Sequence, residues 1–309
     1  MGLVKLNSEV TLSLPNYFKI SLLIIATSFL AYSLYWTVFS VFWVYNITIN
    51  ITALMQVLEI NHPLQQNLII VQEYAASAGY FLAFIGAIFV IQSTVQFIKN
   101  NKKYRDYLSK ALLFEAFFFL MLIPSSIQHF LGFVFSWTYV DVYVGLSFLL
   151  QALLIALPFL MFRRSLRKPQ NQDSILKWIA IGAPSVVLGF WFKYLFLWLY
   201  ALSPLDSNQA NLATIIGTLN SFVTLLIAFI ITSLACIVIY RRKRLNTNLV
   251  GIGLILFGSY FIIYNLVSIL VPVYNSFLYL TDFWMAVLPI LGIAVIEVKS
   301  FNINKAGDD

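Results

Sequence analysis

Charge is what this chain has least of. Only 10% of its residues are Asp, Glu, Lys or Arg, against roughly a quarter in an ordinary soluble domain. That deficit excludes a water-soluble protein with a large core. Cysteine is nearly absent too: Cys236 stands alone, which excludes an intramolecular disulfide and any multi-cysteine metal or iron–sulfur site. The two histidines, His62 and His129, are expected at different depths and argue against a haem held through both. No Gly-rich phosphate loop ending in Lys-Ser or Lys-Thr occurs, nor His-Glu-x-x-His, nor Gly-x-Ser-x-Gly. Without a matched acid, base and nucleophile, no catalytic residue and no metal ligand is assigned, and no intrinsic enzymatic activity is expected.

What fills the chain is apolar: 61% of its 309 residues are hydrophobic and 17% aromatic. Several apolar runs exceed the roughly 20 residues that cross about 30 Å of hydrocarbon as a helix. The expected fold is an all-α polytopic integral membrane protein with eight transmembrane helices. They cover about Ile20–Tyr45, Glu73–Phe97, Ala111–Phe135, Val142–Phe162, Ile175–Tyr200, Ala213–Tyr240, Leu249–Val271 and Leu278–Val298. The first is too long for a signal-peptide core and lacks a small-x-small cleavage site, so it is expected to be retained.

The basic residues set the orientation. Lys99, Lys102, Lys103, Arg105 and Lys110 lie between spans two and three, Arg163, Arg164, Arg167 and Lys168 after span four, and Arg241, Arg242, Lys243 and Arg244 after span six. The alternate loops hold no Lys or Arg. This positive-inside pattern predicts a multi-pass protein of the cell membrane with both termini cytoplasmic. It also accounts for the net charge of +7 without nucleic acid, which is not an expected partner; the lipid bilayer is. Two Asn-x-Thr sequons, at Asn46 and Asn50, fall in the first outer loop, where a glycan acceptor has to be. Pro63 follows Asn61-His62 as a first helical residue, so span two is expected to project beyond the bilayer.

Trp36-x6-Trp43-Val44-Tyr45 in span one recurs as Trp191-x6-Trp198-Leu199-Tyr200 in span five. The recurrence supports a tandem 4+4 helix duplication, with halves 1–168 and 169–309 related by an axis along the membrane normal. An aromatic belt at the membrane interface accounts for the same spacing. Lys193 sits inside the second motif, on the order of 10 Å below the outer end of its helix; the matching residue of span one is Val38. An ammonium there snorkels to the head groups, pairs with a carboxylate, or lines a ligand site. Gln128, His129, Asp141, Asn265 and Asp282 are expected at similar depth, with Asn220 deeper and Glu73 at the outer mouth of span two. Lys193, His129, Asp141, Asp282, Gln128 and Asn265 are therefore the candidate ligand-binding set. Each has a plainer role: Asp141 and Asp282 as helix N-caps, His129 as a core histidine, Asn265 as interhelical glue.

Gly79, Ala83 and Ala87 form a small-residue face on span two. Pro124, Pro184 and Pro289 are expected kinks, and Glu115 is expected near the inner end of span three, facing the basic cluster. Two functions fit. One is a hydrophobic subunit of a larger membrane assembly, such as a respiratory one, partnered by other membrane subunits and holding a lipid-soluble ligand such as quinol near its outer leaflet. No cofactor is expected to be bound by this chain alone. The other is a secondary transporter, for which repeats and intramembrane polar groups are usual. The shallow, one-sided polar layer favours the subunit.

Overall fold

The structure is a computed structural model and describes residues 16–57, 63–136, 139–167 and 180–189, with isolated positions between 191 and 240. The elements are α1 (Asn16–Val57), α2 (Pro63–Ile98), α3 (Tyr104–Leu120), α4 (Ile123–Ser136) and α5 (Tyr139–Arg167), followed by a short apolar helix, Ala180–Gly189. Four stretches are long and apolar enough to cross a membrane: Leu22–Asn50, Asn67–Ile98, Tyr104–Leu131 and Val142–Arg167. They coincide with the first four expected spans. Ala180–Gly189 lies in the fifth; the last two spans, the 4+4 repeat and the boundary at residue 168 fall outside the described residues.

α1 differs from expectation. The segment after Tyr45, expected as a loop, is helical as far as Val57, interrupted only at Asn50 (φ −105°, ψ 19°). The reason lies in the spacing of its buried residues. Leu22, Ala26, Phe29, Ser33, Ser40 and Ile47 are buried, and with half-buried Trp36 they follow the alternating four-and-three spacing of a coiled-coil seam. Ile47, inside the first sequon, keeps that seam going, so the helix does not stop at Tyr45. At 42 residues α1 is about 63 Å long, and α2 at 36 residues about 54 Å. Both exceed the ~30 Å of hydrocarbon. α2 starts at Pro63 as expected, where the missing N–H is one of the donors a helix start leaves unbonded anyway.

α2 is the hub. It packs on α1, α3 and α4, and α5 packs on α3 and α4. The small residues make this close approach available: Gly79, Ala83 and Ala87 are all buried, and a Cβ at Gly79 would come within 3.1 Å of Met121 Cβ. Ala26 and Phe29 of α1, Ala87 and Val90 of α2 and Ala111 of α3 form one cluster. Above it aromatic rings run across the bundle, Trp36 stacked on Tyr80 (5.6 Å, 17°), Tyr80 against Phe118 (5.5 Å), and Phe119 edge-on to Phe159 (6.0 Å).

Pro124 breaks span three outright. It has no N–H for the carbonyl of Leu120, so α3 ends there and α4 begins at Ile123. The Met121 N–H is shared by Phe117 O (3.0 Å) and Phe118 O (3.1 Å), and the Leu122 N–H donates to Phe119 O (3.1 Å). These tighter bonds take up the carbonyls of Phe117, Phe118 and Phe119 in the last turn of α3. Pro158 and Pro184, by contrast, sit inside continuous helices.

Between α2 and α3 the chain turns on Asn100, in the left-handed region (φ 55°). Asn101 N–H donates to Gln96 O and Asn100 N–H to Phe97 O, both at 2.9 Å, the two bonds of a Schellman cap. At this end Arg163 Nε of α5 donates to Ser109 O of α3 (3.1 Å) and Arg167 Nε to Ser109 Oγ (3.3 Å). The two basic clusters therefore share one end of the bundle, as the positive-inside pattern expects.

Candidate functional site

Among the described residues, three polar features interrupt the apolar interior. The first is a seam between α1 and α2 at the end away from the basic clusters. Trp43 Nε1 donates to Glu73 Oε2 at 3.0 Å, Ser40 Oγ meets Ser77 Oγ at 3.3 Å, and the Thr37 hydroxyl is shared between Ser33 O (2.7 Å) and Tyr80 O (2.9 Å). Thr48, the hydroxyl residue of the first sequon, donates to Val44 O (2.8 Å) and meets Tyr74 Oη (3.3 Å). The acceptors Asn46 and Asn50 are exposed on α1. Glu73 thus has a donor of its own on the neighbouring helix. Trp36 Nε1, one turn deeper in the seam, is buried with no hydrogen-bond partner.

The second feature is on α4. Ser125, Ser126 and Gln128 are buried; the Ser126 hydroxyl donates to Gly145 O of α5 at 2.8 Å, and the His129 ring stacks on Phe148 of α5 (5.8 Å, 19°). Ser126 and His129 lie three residues apart and face α5, while Ser125 and Gln128 share the next face round. Gln128 Oε1 is buried and accepts no hydrogen bond. A buried amide oxygen left without a donor forfeits about 1–3 kcal/mol, which a hydroxyl-bearing ligand would restore.

The third feature is Glu115 of α3. It does not face the basic cluster, as expected from its position in the chain. It is buried, 9% exposed, with Oε1 accepting no hydrogen bond, and lies against Gly86 of α2. The cations that could have met it are engaged elsewhere: Arg163 and Arg167 on Ser109, and Lys110 over the rings of Phe89 (5.4 Å) and Tyr107 (5.8 Å).

Of the six candidate ligand-binding residues, Gln128 and His129 are consecutive on α4, His129 against Phe148 of α5 and Gln128 on the next face round. Asp141 lies in the first turn of α5, inside the helix rather than at its cap. Lys193, Asn265 and Asp282 lie outside the described residues. Sequence reasoning missed the Gly86–Glu115 contact, although a sign of Glu115's isolation was present: its neighbours three and four residues away are Ala111, Leu112, Phe118 and Phe119, none of which offers an ion pair along the helix. Among the described residues no three His, Cys, Asp or Glu side chains converge as metal ligands.

Long apolar helices, small-residue contacts at their crossings and a few polar groups between them define the class as a helical membrane bundle. Comparison with protein-family models, curated proteins and solved structures found no match.

Proposed function

We propose that this chain is a hydrophobic integral membrane subunit of a larger membrane assembly, respiratory in type, with an outer-leaflet polar pocket for a lipid-soluble ligand such as quinol. In this reading it lies in the cell membrane with both termini cytoplasmic and other membrane subunits around it. Gln128 is the observation that carries the reading. Its buried amide oxygen lacks a donor beside a histidine stacked on an aromatic ring, in the half of the bundle away from the basic residues. An apolar slot with a few convergent polar groups is what a small lipid-soluble molecule requires, and a quinol hydroxyl supplies the missing proton. The exposed aromatic ladder of α1 fits a surface for neighbouring subunits, with Tyr35 stacked on Phe39 (6.3 Å) and Phe39 on Trp43 (6.4 Å).

The test is purification from the native membrane in mild detergent, with mass spectrometry of companions and an absorption spectrum of the same sample. Stoichiometric redox subunits or a haem band support the assembly. A colourless protein purified alone transfers the weight to the second reading, a secondary transporter of a small solute, which the buried carboxyl of Glu115 favours. Solute flux in reconstituted vesicles then decides for transport. Gln128→Leu separates pocket from scaffold: folding is expected to hold, because it removes a buried amide oxygen that accepts no hydrogen bond in favour of an apolar group, while binding of a quinone photoprobe is lost.

A further inference from the structure

Glu115 has no role in the pocket proposed at Gln128, and its surroundings are specific. The nearest part of α2 is Gly86, and any side chain there would occupy the space of the carboxyl: an added Cβ would lie 3.2 Å from Glu115 Cδ and nearer still to Oε1. The missing side chain of Gly86 is the niche that holds the group. That niche lies about 18 Å along α2 from Ile98 and about 16 Å along α3 from Tyr104, some half of the hydrocarbon thickness from the basic end.

Among the described residues, the neighbouring groups leave little to neutralise a carboxylate. On α2, Gly86 lies against the carboxyl, and its helix neighbours Ala83, Ala87 and Val90 are not titratable. On α3 the closest ionisable residues are Lys110, held over the rings of Phe89 and Tyr107, Tyr107 itself, and Asp106, which is exposed. From α5 the nearest is Arg163, bonded to Ser109; Arg164 and Arg167 lie further toward the basic end. α4 brings His129, beyond the break at Pro124 and stacked on Phe148. An ionised carboxylate buried without a partner is so costly that such a group keeps a proton instead.

We propose that Glu115, in the niche left by Gly86, is an intramembrane proton-binding carboxyl that takes a proton from water and returns it. The O–H bond formed on the carboxyl is the whole of the chemistry: a proton from hydronium in one direction, a proton to water in the other, with no other bond changed. Ionisable groups inside a membrane bundle are rare and generally lie on ion or proton pathways. The proposal is independent of the pocket at Gln128, and either can fail alone.

The experiment treats the full chain, in isolated membranes, with dicyclohexylcarbodiimide, a membrane-soluble reagent that attacks carboxyls in their protonated form. A water-soluble carbodiimide is run in parallel, with peptide mass spectrometry locating the adducts. The expected result is an adduct at Glu115 from the membrane-soluble reagent alone, while Asp106 takes the water-soluble one. The Glu115 adduct is expected to fall by about tenfold per pH unit once the proton is lost, as for a single titrating group. Glu115→Gln, which preserves size, loses that adduct and keeps the others. Absence of an adduct at Glu115 in the folded chain overturns the proposal by showing a paired carboxylate. Equal reaction with the water-soluble reagent overturns it by showing a wetted one, and labelling that ignores pH by showing a purely structural acid. Protection by sodium or lithium at fixed pH overturns it in favour of a metal-cation site.

Discussion

Replacing Gly86 by alanine sets two opposing energies against each other at a single site. Alanine is the better helix former by about 0.5–1 kcal/mol, so at an open helical position the substitution stabilises. At Gly86 an added Cβ would stand 3.2 Å from Glu115 Cδ and 3.4 Å from Phe114 Cβ. The carboxyl is the movable end of its side chain and the Phe114 Cβ is not, which puts the overpacking cost toward the lower end of its usual range, about 1–2 kcal/mol. The two nearly cancel, and Gly86→Ala alone is expected to lose about 0–1 kcal/mol. In a Glu115→Ala background most of the obstruction is gone. There the same substitution is expected to stabilise by up to about 1 kcal/mol, so the cycle shows a coupling of about 1–2 kcal/mol between the two positions. Unfolding of the four proteins in one detergent, followed by helical circular dichroism, measures it. Additivity within about 0.5 kcal/mol would refute the contact and, with it, the niche.

Other contacts carry expectations of their own. Ser126→Ala removes the buried bond to Gly145 O and is expected to cost about 0.5–1.5 kcal/mol in the same unfolding assay. Gly145→Ala is expected to cost more, about 1–3 kcal/mol, because its Cβ would meet the Ser126 carbonyl at 3.2 Å and the Phe130 ring at 3.3 Å, and backbone yields less than a side chain. At the turn after α2, Asn100→Val is expected to lose about 1–2 kcal/mol, because a β-branched residue tolerates the left-handed backbone far less well than Asn, whose short polar side chain hydrogen-bonds locally, while Asn100→Gly is tolerated. Trp43→Phe removes the donor to Glu73 and, at this exposed position, is expected to lower stability by no more than about 1 kcal/mol.

The coarse architecture was legible because hydrocarbon imposes a length and a polarity that a sequence cannot disguise. Pro63 opens α2 and Pro124 ends α3, both for the missing N–H that makes proline readable in advance. The extension of α1 to Val57 was less visible: Asn46, Thr48 and Asn50 suggest a loop by composition, and only the seam continued by Ile47 predicts the helix. The site was legible in part. Gln128 and His129 stand out as polar residues in an apolar run, and α4 turns them about 100° apart, His129 toward Phe148 of α5. Glu115 is expected to face the basic cluster because it lies near that cluster along the chain, but nearness in sequence does not fix a helix face. On a helix five residues separate two side chains by about 7.5 Å of rise and some 140° of rotation, so Lys110 leans over Phe89 and Tyr107 while Glu115 turns to Gly86.

The basic residues illustrate how one set of charges meets two requirements. Their excess at one end reads as a topology signal, and charge alone is what that rule counts. Arg163 and Arg167 also bridge α5 to the carbonyl and hydroxyl of Ser109 on α3, and Lys110 of α3 covers a ring of α2. These bonds depend on the shape of the side chain. Lysine at 163 and 167 keeps the charge but not the guanidinium Nε, since the two side chains differ in geometry and donors. Arg163→Lys with Arg167→Lys is therefore expected to leave orientation unchanged, read by cysteine accessibility from the two sides of the membrane, while loosening the α3–α5 contact by about 1–3 kcal/mol. If orientation and stability both stay as they were, the arginines serve only as charges; if both fail together, the contact with Ser109 is needed for insertion itself.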